Sequence, residues 1–143
     1  GAVVSAEQSV IVLAHSDNQI YAIVIGISGG GTAGVGATVS VIVLQDTTTA
    51  SAGGTVTAGS VTVKAESSEV LNMSASTIVG GGTAAAGASV GTIVFKGITR
   101  AEVLAGTRMT ATTGNLTVQA VSDEKVTLTV FGVGGSGSAA VNG

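Results

Sequence analysis

Apolar and polar residues alternate with a period of two along much of this chain. Val61, Val63 and Ala65 alternate with polar neighbours, and the same alternation occurs in 116–121 and 125–130. A strand that buries one face produces this pattern, because successive side chains point to opposite faces of a sheet. No segment carries apolar residues at the 3.6-residue spacing of an amphipathic helix. The pattern therefore predicts an all-β protein.

Two other runs are apolar at nearly every position, namely 20–27 and 39–44, and the second has a counterpart in 90–95. Such runs are typical of strands buried on both faces. If their outward side chains met only water they would form an apolar stripe, which monomers seldom tolerate. We expect a second sheet of the same chain or neighbouring chains to cover them. The residues expected to mediate self-association are Ile23, Ile25, Ile42, Leu44, Ile93 and Phe95.

The sequence repeats itself at a long period. A shift of 51 positions aligns 9–14 with 60–65 and 29–33 with 80–84, and a shift of 55 aligns 60–65 with 115–120. The extra four residues fall between 103 and 114, which predicts a loop that tolerates insertion. We interpret the chain as one repeat array that is a piece of a longer protein, with 1–8 as the tail of a preceding unit, then units 9–59 and 60–114 and a truncated unit 115–143.

Tandem units of 51–55 residues predict a stacked architecture. One such unit cannot close a core alone, whereas stacked copies bury a continuous core and pair their strand edges. We therefore predict a β-solenoid, similar to a parallel β-helix, with a β-sandwich as the alternative. Strands of four to eight residues would give two or three coils per unit. The expected turns are Ser16-Asp17-Asn18, Gln45-Asp46, Gly53-Gly54 and Ser122-Asp123-Glu124.

Composition excludes several classes of function. The chain has 8 acidic and 5 basic residues, and the bases are scattered, so we expect no nucleic-acid binding. It has no cysteine, which excludes disulfides and thiolate chemistry. No apolar run reaches the roughly 18 residues of a membrane helix, so no membrane insertion is expected.

Two motifs resemble enzyme signatures, and in both cases we favour a structural interpretation. Residues 29–34 fit G-x-G-x-x-G, but a strand-like run follows them and the motif recurs at 80–85, which favours a tight turn over nucleotide binding. His15 is the only histidine and lies beside Ser16 and Asp17. Adjacent residues point apart, so we expect a solvated histidine and not a catalytic triad.

Aligned polar rows are the candidate binding features. Stacking would align Asp17, Ser68 and Asp123 on one edge, and likewise Asn18, Glu69 and Glu124. Such a row could bind calcium through oxygen ligands, although carboxylates on exposed turns are usually just solvated, and its candidate ligands are Asp17, Asp123 and Glu124. Threonines at 47–49, 55, 57, 110 and 112 are a candidate ice-binding row, although threonine is also a good strand former.

The Gly-Gly-Gly-Thr-Ala segment and the phrase Gly-Asn-Leu-Thr-Val-Gln-Ala, which begins at Gly114, resemble the β-strand repeats of giant bacterial exoproteins and filamentous adhesins, of the filamentous-haemagglutinin-like and leukotoxin-type kinds. The resemblance implies a secreted or surface-displayed stalk built from many tandem copies, located outside the cell or on the bacterial surface. It also implies a host-cell or glycan ligand for the parent protein.

We therefore expect a non-catalytic structural module without a cofactor, which stacks repeats into a rod and self-associates. The alternative is a ligand-binding solenoid that recognises glycan, calcium or ice through its exposed threonine and aspartate rows.

Overall fold

The computed structural model describes the whole chain, Gly1–Gly143, and it is all-β with parallel strands in its sheets and no helix. This confirms the predicted fold class at the level of all-β structure. The strands are β1 (Val3–Gly30), β2 (Ala33–Ala52), β3 (Thr55–Gly81), β4 (Ala84–Val103), β5 (Arg108–Ala111), β6 (Leu116–Ser136) and β7 (Ala139–Asn142).

The strands form two sheets. In the first, β3 lies between β1 and β5 and also pairs with β6; in the second, β4 lies between β2 and β7. The β3–β5 and β4–β7 pairs are parallel. The first sheet thus contains β1, β3, β5 and β6 and the second contains β2, β4 and β7. The first repeat contributes the long strands β1 and β2, one to each sheet, and the second repeat contributes β3 and β4 in the same way.

The register of these pairs follows the repeat. Ala84 pairs with Ala139 and Ala85 with Ala140, at an offset of 55 residues. Farther back, the Leu104 amide donates to the Ala52 carbonyl, and the Val61 amide donates to the Asn115 carbonyl. Equivalent residues of successive repeats are thus neighbours in the backbone ladder.

The additional residues between repeats are divided between two places. Thr55 pairs with Arg108 and Ala58 with Ala111, an offset of 53 that lies between the offsets found on either side. One pair of extra residues lies in the turn before β5, where Gly106 has a φ of +78°, and the other lies in 112–114 just after β5. The insertion is therefore confined to non-strand connections, where it does not disturb the pairing of the long strands.

Strand length is where the sequence-based expectation was wrong. Three of the four predicted turns, at 16–18, 45–46 and 122–124, lie inside β1, β2 and β6, and only Gly53-Gly54 is a turn, with φ of +88° at Gly54. Strands of 20 to 28 residues replace the predicted two or three coils per unit. Polar side chains within β1 and β2 are tolerated because they hydrogen-bond to the neighbouring repeat.

The chain divides into two compact units, each assembled from three segments. Unit 1 comprises Gly1–Asn18, Gln45–Glu69 and Lys96–Glu124, and unit 2 comprises Gln19–Leu44, Val70–Phe95 and Lys125–Gly143. Small apolar side chains form the core of unit 1, where Ala50, Ala52, Val63 and Ala65 pack together. Unit 2 buries Leu71, Met73, Ala75 and Val79 of β3, together with Ala85 of β4.

No helix in the chain is long and apolar enough to cross a membrane.

Candidate functional site

The glycine-rich segment at 29–34 is a turn between two strands. β1 ends at Gly30 and β2 begins at Ala33, so Gly31 and Thr32 make the connection. A Cβ on Gly30 would collide with the Ala33 carbonyl, and one on Gly81 would collide with the Ala84 carbonyl in the next repeat. The glycines are thus required for close backbone approach. A strand follows the motif where a dinucleotide fold needs a helix N-terminus.

His15 belongs to an exposed charged ladder in unit 1. Its Nδ1 atom lies 3.8 Å from Oε2 of Glu66, its counterpart in the next repeat, and the Lys64 ammonium pairs with the other oxygen of Glu66. The hydrogen bond from Lys64 lowers the pKa of Glu66 from its ordinary value of 4.5; desolvation opposes this shift, and the charges of Lys64 and His15 add to it. This is the environment of a solvated ion pair.

The three calcium candidates of the sequence lie in unit 1 on exposed positions. Asp17 is on β1 and Asp123 is on β6, and β3 separates these two strands. Glu124 accepts a hydrogen bond of 2.9 Å from Ser122, its neighbour at the position two residues before it. Nowhere in the chain do three or more carboxylate, imidazole or thiolate groups converge. A metal ion in this chain would therefore need neutral oxygen ligands as well as carboxylates.

A partly buried polar cluster lies elsewhere in unit 1, and the sequence analysis named two of its members, Asn18 and Glu69, only as part of a row on exposed turns. We call it the acidic cluster, and it is a chain of side-chain hydrogen bonds around two carboxylates. Ser67 Oγ lies 3.0 Å from Glu69 Oε1 and 3.5 Å from Asp46 Oδ2. Its members are Ser16, Asn18, Asp46, Thr48, Ser67 and Glu69.

Glu69 occupies the centre of the acidic cluster and is only 1% exposed. Its Oε1 atom accepts from Asn18 Nδ2 at 3.2 Å and from Ser67, whereas its Oε2 atom is buried without any hydrogen-bond partner. The period-two alternation of apolar residues along β3 predicts this burial. Val61, Val63 and Ala65 are buried odd-numbered positions, and the same alternation continues through Ser67 to Glu69.

Unit 2 contains a second buried polar cluster, which we call the hydroxyl cluster and which consists of Thr38, Thr77 and Ser89. Thr77 Oγ1 lies 2.7 Å from Thr38 Oγ1 and 2.8 Å from Ser89 Oγ. Each hydroxyl also reaches a backbone carbonyl, at Ser76, Ala88 and Phe131 respectively. All three hydroxyls therefore have partners within unit 2.

The six residues expected to mediate self-association all lie in unit 2, but they differ in their exposure to solvent. Ile23 and Ile25 are exposed, at 74% and 58%, whereas the remaining four are half-buried. The neighbouring valines of β2 and β4 have the opposite phase and are exposed: Val35, Val39, Val41, Val43, Val90 and Val94. Both phases of these runs are apolar, so the alternation could not reveal which face is outward.

Two shallow depressions lie on unit 2. The larger, about 430 Å³, is lined almost entirely by apolar and backbone atoms of Val35, Gly36, Ala37, Ala86, Gly87, Ala88, Val141, Asn142 and Gly143. The smaller, about 220 Å³, places exposed Tyr21 beside amide and hydroxyl side chains, and it is lined by Tyr21, Ala22, Ile23, Asn72, Met73, Ser74, Thr127 and Thr129. Equivalent positions of the three repeats meet here.

The threonine rows of the sequence lie in unit 1 and are short. Thr57 pairs with Thr110, but the next equivalent pair joins Thr55 to Arg108. The Thr112 hydroxyl is used locally, donating to the Ala58 carbonyl at 3.1 Å. The rows therefore make one threonine pair and not a continuous flat array.

The chain matches no protein-family model, no curated protein and no solved structure.

Proposed function

We propose that this chain is a non-catalytic structural module, a segment of a β-solenoid stalk in a secreted or surface-displayed bacterial adhesin or filament. The observation that carries the proposal is the stacking of equivalent residues. The serine row Ser16, Ser67 and Ser122 shows it: each serine lies at the same phase of its strand, in β1, β3 and β6 of one sheet. A sequence that repeats with its ladder can be extended by further copies without any new kind of contact.

The mechanism is mechanical extension. Each repeat adds one strand to each sheet, and neighbouring strands are spaced by about 4.8 Å. A chain carrying ten more copies of 60–114 is expected to form a particle longer by about 48 Å, which electron microscopy measures. The matched control carries ten copies in which Val61, Val63 and Leu71 are replaced by serine, so that the apolar core is lost. Particles of unchanged length with the native copies would overturn the proposal.

Self-association is part of the proposed function. The outward valines of β2 and β4 form an uncharged face in unit 2, where Val39, Val41 and Val43 are 59–69% exposed. Contiguous apolar faces of this kind mark sites of association. Sedimentation equilibrium at high micromolar concentration is expected to show oligomers, and Val41→Lys is expected to dissociate them while Thr127→Lys, on an exposed position of β6, does not. A clean monomer at that concentration would contradict the self-association.

A ligand-binding solenoid is the second candidate, and the smaller depression favours glycan as its ligand. The Tyr21 ring is 69% exposed beside Asn72, Ser74, Thr127 and Thr129, which offer hydrogen-bond donors and acceptors to a sugar. A glycan array is expected to show binding that Tyr21→Ser removes and Asp17→Asn retains. An array without signal for the native chain rejects this candidate and leaves the structural module.

A further inference from the structure

The acidic cluster has more negative charge than its surroundings balance. Asp46 and Glu69 share the hydroxyl of Ser67, which has a single hydrogen and can donate to only one of them. The ion pairs of the chain join His15 and Lys64 to Glu66 and Arg100 to Glu102, so none of them involves Asp46 or Glu69. Two carboxylates thus lie together without a basic partner.

One carboxylate oxygen of Glu69 has no hydrogen-bond donor, which increases the cost of this unbalanced charge. A buried carboxylate is costly unless it is paired, hydrogen-bonded or bound to a metal ion. Oε1 has two donors, but Oε2 is buried with none. An acceptor oxygen that is buried without a donor is costly, and a bound cation would satisfy it.

We propose that the acidic cluster binds one calcium ion, with Glu69 and Asp46 as charged ligands and the hydroxyl oxygens of Ser67 and Thr48 as neutral ones. Two carboxylates balance a divalent charge, and every ligand is an oxygen, the donor that calcium prefers. Magnesium suits the cluster less well, because it keeps several waters and demands near-ideal octahedral geometry. The site is distinct from the exposed residues Asp17, Asp123 and Glu124. It goes beyond the structural role proposed above and does not depend on it.

The neighbouring repeat presents a similar set of oxygens. Ser122 and Glu124 occupy the positions of β6 that align with Ser67 and Glu69 of β3, and Ser16 and Asn18 are their counterparts in β1. The facing strand differs, because the residue 51 positions after Asp46 is Gly97. The second carboxylate is therefore provided only at the first repeat, so we expect one strong site per chain.

The test is thermal unfolding of the chelator-treated chain, followed by circular dichroism at pH 7. A calcium concentration one hundred times the dissociation constant is expected to raise the melting temperature by roughly 9 °C, whereas magnesium at equal ionic strength has little effect. Equilibrium dialysis with radioactive calcium is expected to give one ion per chain. Glu69→Gln and Asp46→Asn should each lose the response.

The matched controls are Asp17→Asn and Asp123→Asn, which remove an exposed carboxylate from the same unit and should retain the full response. If Glu69→Gln or Asp46→Asn fails to fold, the calcium bound by the native chain is compared with the calcium bound by the two control variants, both measured by equilibrium dialysis. Equal binding of one ion by all three supports the proposal. Calcium that binds nowhere, or that is lost with Asp17 or Asp123, overturns the proposal. So does a melting temperature that is the same in the presence of calcium and in the presence of chelator.

Discussion

The acidic cluster of unit 1 and the hydroxyl cluster of unit 2 are two solutions to the burial of polar side chains in a strand interior. In the hydroxyl cluster, Thr38, Thr77 and Ser89 have one hydrogen each, and each has a hydroxyl or carbonyl oxygen to accept it. In the acidic cluster, Asp46 and Glu69 only accept, and Glu69 Oε2 is left without a donor. Hydroxyls can satisfy one another, whereas ionised carboxylates always need hydrogens or a cation from elsewhere.

The difference between the two clusters indicates where a functional site can lie in a repeat protein. A closed hydroxyl network stabilises the stack and requires nothing further. An unclosed acidic network is stable only when something completes it, so it makes the stack responsive to its surroundings. Replacing the central residue of each cluster should therefore change stability in opposite directions when calcium is absent.

Thr77→Val has the largest expected effect. Valine has the shape of threonine but cannot hydrogen-bond, so Thr38 and Ser89, which are both buried, lose their shared partner. We expect the free energy of unfolding to fall by about 2 kcal/mol. Urea unfolding measures the loss, and Thr129→Val, on an exposed position of the same unit, should change it by less than about 0.5 kcal/mol. Equal effects at the two positions would mean that the hydroxyl cluster contributes nothing.

Glu69→Gln in calcium-free buffer has a smaller effect of opposite sign. The amide removes one buried charge and adds two hydrogens to a cluster that lacks donors. We expect a gain of about 1 kcal/mol in the free energy of unfolding at pH 7. Urea unfolding in the presence of chelator measures it. A loss of stability under these conditions would show that Glu69 is already satisfied and would remove the contrast between the two clusters.

Glu66→Gln has the smallest expected effect on stability, because Glu66 and its partners His15 and Lys64 lie in the charged ladder, where water already solvates their charges. Its pKa is lowered in the folded chain, chiefly by the hydrogen bond from Lys64. The contribution of Glu66 to stability is therefore present above its unfolded pKa and is lost as the pH falls through its folded pKa. We expect a small difference in melting temperature between native chain and variant at pH 6 that disappears in acid below that pKa. A difference independent of pH would contradict this account.

Much of the fold could be predicted because the repeat and its ladder coincide. The offsets of 51 and 55 residues followed from comparing the sequence with itself. The structure pairs Ala84 with Ala139, at the second of these offsets. The all-β class followed from the alternation of apolar residues. Strand length could not be predicted in the same way. Ser16-Asp17-Asn18 has the composition of a turn, yet it continues as a strand in which Asn18 donates a hydrogen bond to Glu69, 51 residues away.

The candidate site was less predictable than the fold. The sequence aligns Asp17 with Ser68 and Asp123, and Asn18 with Glu69 and Glu124, as rows on exposed turns. Asp17 and Asp123 are exposed, whereas Glu69 is buried. Glu69 lies one position after the aligned row of Asp17, Ser68 and Asp123, and that one position moves it to the opposite face of β3. The phase of Val61, Val63 and Ala65 contained this information. The partner Asp46 could not be found from phase, because it lies in the other sheet.

The sequence by itself determined that the chain is all-β, that it repeats and how far apart equivalent residues lie. These properties follow from periodicity, because a period-two pattern is a local property of the sequence and a repeat is found by comparing the sequence with itself. Only the tertiary structure decided how long the strands are, which phase of an apolar run faces outward and which carboxylates meet. These depend on contacts between residues of different strands and sheets, where hydrogen bonds formed across the stack outweigh the local preference of polar residues for turns.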